Sequence, residues 1–268
     1  MIVDYIHFLD SDDWLELSCV EECVNSALAS QADIIWHGCN HFQEATQQIT
    51  ESNFLKSLKL KEKYSYTGLE IFSSLPYSSF SWVAMGIVKS CLANKVKFEE
   101  GIESEDALFG MQIFSLAKNI QIILKPFYYY RIRPNSTSQH TLNNTTNPKE
   151  IRFPSHQNDL IDVFHTPYEI RHYSFAYSCA IISLRMDEFL KREKFCNQLN
   201  TIIKNMIEER VIYAFGGCAF DKDPRNIRKL CTKLIDYTSK TPWNLKLAYY
   251  YPTIYKILKK IKNILRKS

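Results

Sequence analysis

The chain has 268 residues, 46% hydrophobic and 23% charged, with a formal net charge of +4. This length and apolar share suit a globular protein with a sizeable core and room for two domains, and they exclude a disordered chain. So weak a positive balance gives no nucleic-acid-binding character, and no run approaches the roughly 18 uninterrupted apolar residues of a membrane span.

Tyr5 to Leu9 reads as a short buried strand that ends abruptly in an acidic loop, Asp10-Ser11-Asp12-Asp13. From Trp14 the period becomes helical: Leu17, Val20, Val24 and Leu28 share a face, and an aspartate stands at the expected N-terminus. A second strand follows from Asp33 to Phe42, which gives the βαβ rhythm of an α/β sheet. Residues 43 to 66 are polar and lysine-rich and read as a surface excursion, with a lid among the options. A short helix is expected over Thr67 to Leu75. An amphipathic helix then starts near Ser104, with Phe109, Ile113, Leu116 and Ala117 on one face. Ile120 to Leu124 and Phe127 to Arg131 are strand-like on either side of Pro126.

Thr141 to Asp159 is polar and reads as a linker, dividing the chain into residues 1–140 and a mainly helical region over 141–268. The helical pattern breaks at Gly216-Gly217 and at Pro224, Pro242 and Pro252, and no internal repeat is found. The end is a basic amphipathic helix over residues 253–268. Ile254, Ile257, Leu258, Ile261 and Leu265 line one face of it, and Lys256, Lys259, Lys260, Lys262, Arg266 and Lys267 crowd the rest. Such a helix can lie in the headgroup region of an anionic membrane, or pack as an ordinary surface helix.

Eight cysteines carry no CxxC pair and no secretory leader precedes them, so reduced thiols in a cytoplasmic protein are expected. Cys19 and Cys23, one helical turn apart, read as core and surface thiols. His37, Cys39 and His41 alternate on one strand face and superficially suggest zinc, but no fourth ligand lies nearby, so strand packing is the better reading. Tyr128 to Tyr130 read mainly as strand packing, with one ring free to stack on a sugar. Seven glycines, and no P-loop or GxGxxG, mean that any phosphate is held another way.

Carboxylates as close as Asp10, Asp12 and Asp13 raise one another's pKa unless a cation relieves them. Mg²⁺ or Mn²⁺ does so with one or two carboxylates plus substrate phosphates. On spacing alone, a solvated loop and helix cap explains these aspartates as well. Glu105 and Asp106, read alone, suit a helix N-terminus by its dipole.

Resemblance adds to this. The segment "YIHFLDSDDWLE" resembles the metal-binding D-x-D segment of inverting family 2 glycosyltransferases of the GT-A fold, in the bacterial surface-polysaccharide branch. "KFEEGIESEDALF" and "KPFYYYRIRPNSTS" resemble that family's Glu-Asp motif and the Arg-rich strand after it. The likeness covers roughly residues 4 to 140. It implies a partial GT-A, Rossmann-like mixed sheet followed by a mainly helical region. It also implies Mn²⁺ or Mg²⁺ at Asp10 and Asp12 with Asp13 adjoining, Asp106 as general base with Glu105 beside it, and Arg131 and Arg133 facing the diphosphate or acceptor. A nucleotide-sugar donor, UDP-linked by default, and a glycan or lipid-linked acceptor follow from it, as does a place on the inner face of the cytoplasmic membrane.

The chain departs from the family in having Ser104 where a His often precedes Glu-Asp, and in "SWVAMG", which lacks the usual Asn and Lys pattern. The D-x-D strand also starts at residue 4, without the preceding nucleoside-binding units. An upstream start or a truncated chain would explain that, and either leaves an unpaired, largely apolar sheet edge. A non-catalytic remnant or membrane-associated interaction module is the competing reading. A phosphohydrolase fits less well, since no second carboxylate cluster suggests two metals.

Overall fold

The computed structural model describes residues 3–60, 65–133 and 147–265. It has two compact units, one of residues 1–99 and 106–139 and the other of residues 100–105 and 140–268.

The first unit is a mixed α/β layer. Its strands are β1 (Tyr5–His7), β2 (Trp14–Leu15), β3 (Ile34–Gln43), β4 (Gln48–Glu51), β5 (Gly86–Lys89) and β6 (Ile120–Ile132). The order across the sheet is β1-β5-β3-β6-β2, with β4 pairing β3 as a hairpin. The helices are α1 (Cys19–Ser30), α2 (Phe54–Ser57), α3 (Gly68–Ser74), α4 (Ser90–Ala93) and α5 (Glu105–Leu116). β3 is the central strand, and its first seven residues are buried. Trp36 meets Phe80 and Phe114 on one face, while Ile35 packs with Cys19, Cys23, Ala27 and Phe127 on the other. α3 is fixed at its start by a capping box between Thr67 and Glu70.

Several sequence expectations change here. The βαβ rhythm predicts β1 beside β3, but β5 lies between them and runs antiparallel to both. Gly86 permits this: it sits opposite Trp36 at φ +149, where a Cβ would lie 2.0 Å from the Ile35 carbonyl oxygen. The two strand pieces flanking Pro126 are one strand, because the irregular pairing with β3 falls between His37 and Cys39, where side-chain-free Gly38 faces Pro126. Part of the excursion over 43 to 66 is the β3-β4 hairpin and α2; Lys61 to Tyr64 lie outside the described residues.

The largest change is in α1, which starts after Ser18, with no aspartate at its N-cap position. Its buried residues are Cys19, Cys23 and Ala27, small side chains at i, i+4 and i+8 that let the helix approach the sheet closely. Leu17, Val20, Val24 and Leu28 therefore face outward, with Leu17 99% exposed and Leu28 63% exposed.

β1 pairs only with β5 among the described residues. The Ser90 N–H donates to the Asp4 carbonyl at 2.9 Å, so by antiparallel alternation Ile6 also bonds to β5, and the backbone groups of Tyr5 and His7 point to the open edge. Beside that edge is a groove of about 900 Å³ whose lining includes Val3, Ile6, Val24 and Leu28.

In the second unit α6 (Pro167–Arg192) and α7 (Asn197–Gly217) pack along one another, followed by α8 (Ile227–Cys231), α9 (Trp243–Tyr250) and α10 (Pro252–Leu265). Thr166 and Glu169 form a capping box at the start of α6, and α7 stops at the Gly-Gly pair. The linker expected over Thr141 to Asp159 lies partly outside the described residues; its later part forms 3₁₀ turns, with Asp159 bound by Arg225. Residues 100–105 belong to this unit through Glu103, whose N–H donates to Ser178 Oγ at 2.9 Å and whose carboxylate accepts from Gln157 at 2.7 Å.

An open strand edge beside an aliphatic helix face favours self-association. Sedimentation velocity of the isolated chain is expected to show mass increasing with concentration, and Leu28→Lys to reduce it while leaving the Tm nearly unchanged. A wild-type chain that stays monomeric throughout would contradict this.

Candidate functional site

After β1, Phe8 packs edge-on against Phe109 of α5 at 5.5 Å and against Phe98 at 5.4 Å. The chain then turns, and the Asp13 N–H donates to the Asp10 carbonyl at 3.2 Å. Asp13 pins this turn to β6: one carboxylate oxygen accepts from the Arg131 N–H at 2.8 Å and the other accepts from the Tyr128 hydroxyl. Burial, and then that hydrogen bond, raise the Tyr128 pKa, so the phenol keeps its proton and remains the donor. β2 continues the attachment, with Trp14 stacked on Tyr129 at 5.1 Å and Glu16 accepting from the Tyr129 hydroxyl at 3.1 Å.

The end of β6 and the residue just after it supply the arginines. Arg133 pairs with Asp12 at 2.7 Å, so these two predicted site residues meet directly. Arg131 lends its backbone N–H to Asp13, but its side chain pairs with Glu44 at 3.1 Å, just past the end of β3.

Asp106 comes to the site from α5. Its carbonyl accepts from the Trp82 N–H at 3.2 Å, and Gly110 lets the helix lie on the backbone of buried Trp82, where a Cβ would stand 2.6 Å from the Trp82 nitrogen. With Phe8 seated on Phe109, the start of α5 and the acidic turn are close enough for their charges to interact. The Asp10 pKa is raised, first by lost hydration and then by the charges of Asp13, Asp12 and Asp106. Asp10 takes part in no ion pair among the described residues. A carboxylate of this kind, among oxygen donors and short of positive charge, suits a hard divalent cation.

Glu105 is the first residue of α5 but falls in the second compact unit, the division passing between it and Asp106. Ser104 before it has φ +62, a left-handed conformation uncommon outside glycine.

Tyr128, Glu16 and Glu44 were not legible as parts of this site. Their only sequence signal is an aromatic run and isolated acids, and their partners lie 87 to 115 positions away along the chain. His37, Cys39 and His41 do not form one cluster. Cys39 packs with Ala84 and Tyr128, His41 lies against Tyr130, and His37 sits against Phe127.

No family model matches the chain. It is similar to glycosyltransferase GlyA of Streptococcus pneumoniae, with 29% identity over 144 residues, covering 51% of this chain and 20% of GlyA. The chain thus spans about one fifth of the length of that relative. Among solved structures it is similar to S. aureus TarS 1–349 in complex with UDP-GlcNAc, at TM-score 0.49 and 15% identity over 95% of this chain and 64% of that one. The TarS 1–349 complex with UDP gives TM-score 0.47 and 14% identity over 91% and 58%.

Because the native state holds the Asp10 proton more tightly than the unfolded chain, this group's contribution to stability falls as pH rises through the carboxylate range toward neutrality. Asp10→Asn is expected to raise the Tm at neutral pH, and the gain to vanish at pH low enough to protonate the carboxyl in both states. Added Mn²⁺ should raise the wild-type Tm and have much less effect on the variant. A variant that melts below wild type at neutral pH would refute the electrostatic account.

Proposed function

We propose that the chain is the acidic, acceptor-activating part of a glycosyltransferase that moves a sugar from a nucleotide-diphosphate donor to an acceptor hydroxyl with inversion. One observation carries this reading: the turn after β1 and the start of α5, about ninety residues apart in sequence, bring Asp10, Asp12, Asp13 and Asp106 into one electrostatic patch. The similarity to glycosyltransferase GlyA supports sugar transfer as the reaction class.

In this reading the acceptor oxygen attacks the anomeric carbon from the face opposite the leaving group. The bond from that carbon to the diphosphate breaks, and its electron pair leaves with the diphosphate. Asp106 accepts the acceptor proton, a role typically worth about 10² to 10⁴ in rate. Asp10 and Asp12 would hold Mn²⁺ or Mg²⁺, which when bound neutralises charge on the leaving diphosphate. Asp13 holds the turn in place through Tyr128 and Arg131, and Arg133, bridged to Asp12, is placed to exchange that carboxylate for a phosphate. Glu105 is assigned to the helix start beside the base, and Arg131 to the support of the turn.

Asp106→Asn is expected to lower turnover at least a hundredfold while UDP binding, measured calorimetrically with Mn²⁺, stays within about twofold. Asp12→Asn should instead weaken the Mn²⁺-dependent part of that binding. Equal loss of turnover and UDP binding in Asp106→Asn would reject its role as base.

The acceptor is proposed to be lipid-linked and reached from an anionic membrane surface. No helix among the described residues is long and apolar enough to cross a membrane. α10, however, leaves Ile254, Ile257, Leu258, Ile261 and Leu265 about half exposed or more, and Trp243, Tyr250 and Tyr251 are exposed nearby in sequence. Arg266 and Lys267 of the expected basic face lie outside the described residues. Vesicles containing phosphatidylglycerol should bind the chain in a salt-sensitive manner that is lost when residues 253–268 are deleted, and vesicles of phosphatidylcholine should bind it weakly. Equal binding by the full and shortened chains would sink this assignment.

A further inference from the structure

Away from the acidic turn, a second cluster brings together the last residue of β1, the first residue of α1 and the middle of β3. His7 Nε2 lies 3.3 Å from His37 Nε2, and Cys19 Sγ lies 3.7 Å from the same His37 nitrogen. Each imidazole has its other nitrogen against a main-chain carbonyl, His7 Nδ1 on Phe8 O at 2.8 Å and His37 Nδ1 on Gly38 O at 2.9 Å. A carbonyl oxygen only accepts, so both Nδ1 atoms carry the proton. In the neutral rings both Nε2 atoms are then lone-pair acceptors, and they point at one another inside the protein. The Cys19 thiol has a single hydrogen and satisfies at most one of them. His37 and Cys19 are fully buried and His7 is half-buried beside them.

Nitrogen lone pairs turned into one small space beside a thiol can be satisfied by a metal ion. Ligating histidines typically donate the second ring N–H to a carbonyl or carboxylate, which fixes the tautomer. Zinc bonds of about 2.0–2.1 Å to nitrogen and about 2.3 Å to sulfur, set at tetrahedral angles, place two nitrogens about 3.4 Å apart and a nitrogen and a sulfur about 3.6 Å apart. Both separations from His37 Nε2 match those spacings, and the three ligand atoms all lie within 4.8 Å of one another. From these observations we infer that His7 Nε2, His37 Nε2 and Cys19 Sγ form a zinc site that clamps β1 and α1 to β3. Cys23, also fully buried, stands one turn along α1. His7 is half-buried at the open edge of the sheet and gives the ion a way in.

This site is chemically unlike the acidic turn, which offers only oxygen, and it does not depend on the sugar-transfer reading. Cobalt(II) titration of the chelator-treated full chain tests it, because a thiolate ligand gives a sulfur-to-cobalt charge-transfer band that carboxylates do not. One equivalent of Co²⁺ should produce that band together with tetrahedral d–d absorption, and one equivalent of Zn²⁺ should erase both. The isosteric Cys19→Ser should abolish the band, and His7→Gln should weaken binding of the ion that gives it at least tenfold. A folded chain, by circular dichroism, that takes up Co²⁺ without the sulfur band would overturn the inference and leave the two imidazoles sharing a proton. Persistence of the band in Cys19→Ser would also overturn it, by placing the metal on another thiol. Should Cys19→Ser fail to fold, His7→Gln decides, since unchanged Co²⁺ affinity in that variant removes His7 from the site.

Discussion

The candidate site depends on Asp13. Both oxygens of this carboxylate bind β6, one the Arg131 amide and the other the Tyr128 hydroxyl. Charge-assisted hydrogen bonds of this kind are stronger than neutral ones and directional, so they fix where the turn sits as well as whether it stays. A second restraint acts from the other side, where Phe8 packs edge-on against the stacked rings of Phe98 and Phe109 and brings the start of α5 toward the turn. Between these two anchors the backbone holds like charges together, and the Asp10 pKa is raised, first by burial and then by those neighbouring charges.

The first unit therefore concentrates unfavourable electrostatics in one place and compensates through packing elsewhere. β3 supplies much of that compensation, being buried on both faces and bonded to three other strands. The His7, Cys19 and His37 cluster lies on the same β1 that delivers the acidic turn, only three residues before Asp10. Any ion that locks β1 to β3 at that cluster also limits the motion of the turn.

Helix α1 illustrates how a periodic signal can be read correctly and yet assigned to the wrong side. Leu17, Val20, Val24 and Leu28 do fall near one another around the helix, but the sheet is met by Cys19, Cys23 and Ala27. Hydrophobicity scales favour the larger aliphatic residues, whereas close approach of a helix to a sheet selects small ones. The β1 neighbour was misjudged for a related reason. Chain order suggested β3, but only Gly86 reveals that an antiparallel strand can enter between them, and a lone glycine is a weak local signal.

By itself the sequence determined the mixed α/β character of the first part and the helical character of the rest. It also determined the short helix over Thr67 to Leu75, the start of α5 near Ser104 and the acidic turn after the first strand, because propensity and periodicity act over a few neighbouring residues. Only the tertiary structure decided which groups meet. Tyr128 is bonded to Asp13, Arg133 to Asp12 and Arg131 to Glu44, and His37 shares a cluster with His7 and Cys19 instead of Cys39 and His41. These pairings turn on strand order, on the irregular register at Gly38 and on which face of α1 the sheet accepts, and those depend on contacts between residues far apart in the chain.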